Sequence, residues 1–126
     1  MGKNAPTLLE VASFLEAAEA LGAREHALAS LVCLHGLPLS ELCQAWVSDV
    51  SRTGPSWTLT IALVPGAHRT TVTLTPRATA ALAAYLGDRG TGPLLLDDDG
   101  LPIRPETAAG VIRRIVHASG LDYRLQ

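Results

Sequence analysis

Trp57-Thr58-Leu59-Thr60-Ile61-Ala62-Leu63 alternates large apolar residues with small ones, a period of two that suits an extended strand with one buried face. Pro65-Gly66 turns the chain, and Thr71-Val72-Thr73-Leu74 alternates again, so the two runs predict a β-hairpin. The segments before and after it repeat at helical spacing instead. One hairpin set among helices can bury its apolar face only against them, which predicts a mainly α chain with a small antiparallel sheet, an α+β fold.

The helices carry their own start and stop signals. Thr7-Leu8-Leu9-Glu10 has the layout of a capping box, in which the hydroxyl and carboxylate satisfy free amides at a helix start. Leu8, Val11, Ala12, Leu15 and Ala18 then predict a helix over residues 8–20. A second runs from about Arg24 to His35 and stops at Gly36, because glycine takes the left-handed conformation a helix end favours. A short third helix is expected from Leu39 to Trp46. Thr75-Pro76 reads as an N-cap followed by proline in the first turn, ahead of a helix with Ala80, Leu82, Ala83 and Leu86 that ends near Gly87. Leu94-Leu95-Leu96 is a short apolar run closed by the acidic turn Asp97-Asp98-Asp99-Gly100. The last helix starts around Pro105, with Ala108, Val111, Ile112, Ile115, Val116 and Ser119 as one stripe.

With 126 residues, nearly half of them apolar, the chain is expected to be one folded domain over residues 1–126. No apolar run approaches the roughly 20 residues of a membrane span, and the N-terminus lacks a signal-peptide layout, so a cytoplasmic protein with no membrane partner is expected. Cys33 and Cys43 read as two buried, reduced thiols. The formal charge of −2 weighs against a strong autonomous nucleic-acid binder. Lys3 is the only lysine, so any basic surface consists of arginine. His26, His35, His68 and His117 lack metal-ligand spacing with one another or with the cysteines, and Asp97-Asp98-Asp99-Gly100 lacks the alternating ligands of a calcium loop. Neither a metal nor a cofactor is expected, and His35 reads as a structural imidazole.

The joint order of these parts resembles a known family. Two helices, "GLPLSEL", a short helix, the hairpin, "LTPRATAALAAYL", "GPLLLDDDGLPI", a helix with "VIRRIV" and then "SGLD" look like the catalytic domain of the tyrosine recombinases, the phage-integrase family. The resemblance runs from about Pro6 to Asp122 and corresponds to the N-terminal two-thirds of that domain. It implies an arginine after the Gly-Leu of the corner, binding the phosphate to be cut with its planar fork of donors. Here that place holds Pro38, which has no side-chain donor, and the loss of such an oriented contact is expected to lower a rate by at least about 100-fold. Pro38 is better read as a rigid start to the third helix. The family also carries a lysine in the hairpin turn, whereas Val64-Pro65-Gly66-Ala67-His68-Arg69 has none. Its His-x-x-Arg box and nucleophilic tyrosine are expected after "SGLD", where this sequence ends in Tyr123-Arg124-Leu125-Gln126. Tyr123 lies too early for that role, and Tyr85 sits where an aromatic packs its helix against the core.

The resemblance therefore implies a domain related to DNA integration and recombination, with no catalytic residue of its own and double-stranded DNA as partner. Arg69, Arg104, Arg113 and Arg114 are the expected phosphate contacts. Two other readings stand beside it: a protein-interaction or regulatory module that kept the fold without DNA, and self-association through uncovered apolar surface. A helix-turn-helix reading of residues 27–47 fares worse, since the helix after the corner carries Glu41 and no basic residue. Pro38→Arg is expected to leave strand cleavage absent, because the hairpin lysine and the tyrosine are still missing. A nicked or covalently attached product on a denaturing gel would overturn the alignment of position 38.

Overall fold

The computed structural model describes residues 7–121; Lys3, Asp122 and Tyr123 lie outside them. Helices α1 (Leu8–Leu21) and α2 (Ala23–His35) lead into the short α3 (Leu39–Gln44). A 3₁₀ turn (Val47–Asp49) follows, then β1 (Val50–Ser51), β2 (Thr58–Ala62) and β3 (Arg69–Thr73), and finally α4 (Pro76–Leu86) and α5 (Pro105–Ser119). The architecture is mainly helical with one three-stranded antiparallel sheet in the order β1-β2-β3. No described helix is long and apolar enough to cross a membrane.

The local signals operate as the residue types dictate. The Thr7 hydroxyl accepts from the Glu10 N–H at 3.1 Å and the Glu10 carboxylate accepts from the Thr7 N–H at 2.9 Å, closing the capping box of α1. Thr75 caps α4 by accepting from the Ala78 N–H at 3.1 Å. At the end of α2, Gly36 is left-handed with φ of 61°. Its N–H donates to Val32 O at 2.9 Å. Pro38 then occupies the N-cap of α3, one place before the first turn, with φ −65° and ψ 132°.

Three boundaries differ from the sequence reading, each for a tertiary reason. Helix α3 stops at Gln44, short of Trp46, because the chain goes extended at Ala45 to pair with the segment before the leucine run. Leu94 N–H donates to Ala45 O and Val47 N–H to Gly92 O, both at 2.8 Å. Strand β3 begins at Arg69, since pairing with β2 continues from Leu59↔Val72 out to Ala62↔Arg69. Leu63 leaves the ladder there and is exposed rather than continuing the buried face. Strand β1, two residues long, is too short to show any periodicity of its own.

The core is organised around α2. Ala27, Leu28, Ala29, Ser30 and Leu31 are all fully buried, so this helix has almost no solvent face, and it packs on α1, α4 and α5. Leu28 and Leu31 meet Leu82, Leu94, Val111 and Ile115 in one cluster that also takes in Leu42, Leu59 and Leu74. Each fully buried side chain of this size contributes about 1.5–3 kcal/mol. In α5 the expected stripe holds with Ala108, Val111 and Ile115 buried and Ile112, Val116 and Ser119 half-buried at its margins. Tyr85 packs against the core and its hydroxyl accepts from the Leu96 N–H at 3.0 Å. Cys33 and Cys43 are free and only half-buried. Burial nevertheless pushes both thiols up, with the Glu106 charge adding to the effect at Cys43.

Both ends of α2 are fastened by polar groups. At its N-terminus Glu25 is buried, and its Oε2 lies 2.7 Å from Arg24 Nη2 and 3.8 Å from Arg114 Nη2. Arg24 Nη1 reaches the acidic turn, 2.9 Å from Asp98 Oδ1, and donates to Leu96 O at 3.1 Å. Burial opposes the charge on Arg24, but its bonds to Glu25 and Asp98 and their attraction outweigh that and raise its pKa. At the C-terminus His35 Nε2 accepts from the Thr75 N–H at 3.0 Å, joining α2 to the cap of α4.

Arg24→Ala is expected to destabilise the fold by about 3 kcal/mol, since it leaves the Glu25 carboxylate buried with only the more distant Arg114; urea unfolding reads this directly. The His35 contact has a pH signature. Only a neutral ring nitrogen can accept from Thr75, and burial lowers the imidazole pKa below its ordinary 6.5. The contribution is complete above 6.5 and declines as the pH falls through and below it. Burial also lowers His26, with a smaller push from Arg77 against the pull of Glu19, so the measurement is comparative. Unfolding free energies between about pH 7.5 and pH 5 should drop less for His35→Gln than for the parent chain.

Candidate nucleic-acid interface

The corner at Pro38 and the hairpin turn are some 25 residues apart, yet the fold brings them to one region. Glu41, one turn into α3, accepts from the Gly66 N–H at 3.1 Å through Oε2 and so ties the turn to the helix. Pro38 is half-buried at the start of that helix, and no guanidinium stands in its place. His68 lies exposed in the turn.

Arg69 begins β3 beside this tether. Its Nη2 donates to Asp49 Oδ1, forming an ion pair, and to Thr60 O at 3.1 Å. Asp49 uses its other oxygen to accept from the Trp46 N–H at 2.8 Å. These groups line a cleft of about 280 Å³ that includes Glu41, Gln44, Asp49, Thr60 and Arg69. Its formal charges are two carboxylates and one guanidinium, and the guanidinium is occupied by Asp49.

The other three arginines belong to α5. Arg104 is its N-cap residue, exposed, with Nε 3.8 Å from Glu106. Arg113 and Arg114 follow two turns later on the exposed side. Arg113 makes no ion pair among the described residues, whereas Arg114 leans toward the buried Glu25. Arg114 also lines a second cleft of about 530 Å³ with Arg24, Asp97, Asp98, Asp99 and Thr107. The two clefts share no residue: Arg69 lines one and Arg114 the other. Among the described residues, no group of three or more His, Cys, Asp or Glu could hold a metal ion.

Sequence reading missed Arg24, which is the charged residue most deeply involved in this second cleft. The available signal was the Arg24-Glu25 pair at a helix start, because a carboxylate on a helix this apolar needs a cation nearby. It missed Asp49 as well, which no local pattern connects with Arg69 across the sheet. The acidic turn is only partly solvated: Asp97 Oδ1 accepts from the N–H groups of Asp99 and Leu101, both at 2.9 Å, and Asp98 is paired to Arg24.

No family model matches the chain, and no curated protein matches it in sequence. Solved structures match it in shape. Against XerA recombinase the TM-score is 0.78 at 21% identity, over 96% of this chain and 45% of that one. Against lambda integrase residues 75–356, solved bound to DNA, it is 0.70 at 17% identity, over 95% of this chain and 46% of that one. A lambda integrase dimer bound to a COC′ core site gives 0.67 at 18% identity, over 96% of this chain and 36% of the other. The chain spans less than half the length of each of these proteins. The fold, mainly helical with a three-stranded antiparallel sheet, is that of the tyrosine-recombinase catalytic domain.

Proposed function

We propose that this chain is a recombinase-type DNA-binding domain, related to integration and site-specific recombination, that acts in the cytoplasm and does not itself cut DNA. The observation that carries the reading is the pairing of this fold with Pro38 at the corner. Phosphoryl transfer through this kind of site rests on preorganised positive groups around the phosphorus. Position 38 has no donor, the hairpin turn has no lysine, and Arg69 is held by Asp49. A cleft with more carboxylates than free cations does not stabilise the extra negative charge of a five-coordinate phosphate.

DNA contact falls instead to α5. Arg104, Arg113 and Arg114 are exposed on its polar side, and Arg113 is unpaired among the described residues. Two or three phosphate contacts on a chain of net charge −2 make a weak, strongly salt-dependent binder. The runner-up reading, a protein-interaction module that dropped DNA, is favoured by that same acidic balance and by the carboxylates facing Arg69, Arg104 and Arg114.

Fluorescence anisotropy on a labelled duplex at two salt concentrations tests the proposal, with Arg113→Ala/Arg114→Ala in parallel. The parent should bind at low salt and weaken steeply as salt rises. The double variant should bind less tightly, with a slope of log affinity against log salt smaller by about 1.8, roughly 0.9 for each lost phosphate contact. Absence of binding at low salt, or an unchanged slope in the variant, overturns the DNA reading and leaves the protein module.

A further inference from the structure

Trp46 stands with its side chain in solvent, 53% exposed, although the backbone beneath it is held from several directions. Its N–H is taken by Asp49, it forms a bridge with Pro93, and its neighbour Val47 donates to Gly92 O at 2.8 Å. A large ring left wet on an ordered backbone is poised for contact. Burying it against a partner removes apolar area from water, and the backbone ordering that binding normally requires is already in place.

Trp46 lines the 280 Å³ cleft between α3 and the sheet. Inside that cleft the single cation, Arg69, is occupied by Asp49 and Thr60 O. Glu41 has one oxygen on the Gly66 N–H and lone pairs left over, so the cleft keeps a net negative charge. The turn that Glu41 tethers also exposes apolar surface, with Leu63 51% and Val64 63% exposed. An exposed aromatic residue lining the same cleft as a carboxylate with no cation of its own calls for a cation carried on an apolar stem.

We propose that this cleft docks a short basic segment of a partner protein, with an arginine guanidinium lying over the Trp46 ring and donating to Glu41. Arginine fits better than lysine because its flat guanidinium both stacks on an aromatic face and forks onto a carboxylate. The charge that admits such a segment also turns phosphate away, so this face is distinct in chemistry from the arginines of α5. It shares no residue with the cleft that Arg114 lines. The inference goes beyond the DNA reading and does not depend on it.

The test uses the full chain and a fluorescein-labelled Gly-Arg-Gly-Arg-Gly peptide, with lysine and glutamate counterparts, read by anisotropy. Saturable binding of the arginine peptide is expected, weaker with lysine and absent with glutamate. Trp46→Ala should weaken it by about tenfold or more, and Glu41→Gln, which keeps an acceptor for Gly66, should weaken it severalfold. Circular dichroism of both variants should match the parent, and Arg113→Ala/Arg114→Ala should leave the peptide affinity unchanged. Peptide binding that survives Trp46→Ala, or no saturation at millimolar peptide, overturns the proposal. So does displacement of the peptide by duplex DNA, which would make this face a nucleic-acid surface.

Discussion

Helix α2 is the element on which the rest of the molecule depends. It is buried along most of its length, and α1, α4 and α5 all pack against it. An apolar helix in such a place gains stability from every neighbour but creates a difficulty at its ends, where backbone and side-chain polar groups must still find partners. This chain meets the difficulty with Arg24 and Arg114 around Glu25 at one end, Arg24 being paired in turn with Asp98. At the other it uses Gly36 for the backbone and His35 for the first amide of the next cap. Those two fastenings set where the acidic turn, α5 and α4 lie.

The functional surfaces follow from that placement. The corner after α2 puts Pro38 and α3 beside the hairpin, and the Glu41–Gly66 bond holds the two together. In this region Asp49 holds Arg69, and Pro38 caps the start of α3. Arg114 of α5 lines a separate cleft together with Arg24 and the three aspartates of the acidic turn. One fold thus presents two clefts of different make-up, one with Arg24 and Arg114 beside the acidic turn and one with Trp46 beside Glu41, Asp49 and Arg69.

Much of the fold was legible because its signals are local. A capping box needs only Thr7 and Glu10, a helix stop only Gly36, and the hairpin only two alternating runs around Pro65-Gly66. The site was less legible. That Pro38 lacks chemistry could be read from the letter alone, and so could the missing lysine of the turn. That Arg69 is neutralised could not, because Asp49 lies 20 residues away and reaches it only once the sheet has formed.

The sequence by itself determined the elements, their order, the buried stripe of α5 and the absence of charge at the corner. These depend on residue type and short-range spacing, which the backbone reads within a few residues. Tertiary structure alone decided that α3 stops at Gln44, that Arg24 anchors the acidic turn, and that Trp46 stays in water. It also put Arg69 and Arg114 on different clefts. Hydrogen bonds and ion pairs act over about 3–4 Å whatever the distance along the chain, so the partner of a charged group is fixed only when packing has brought the segments together.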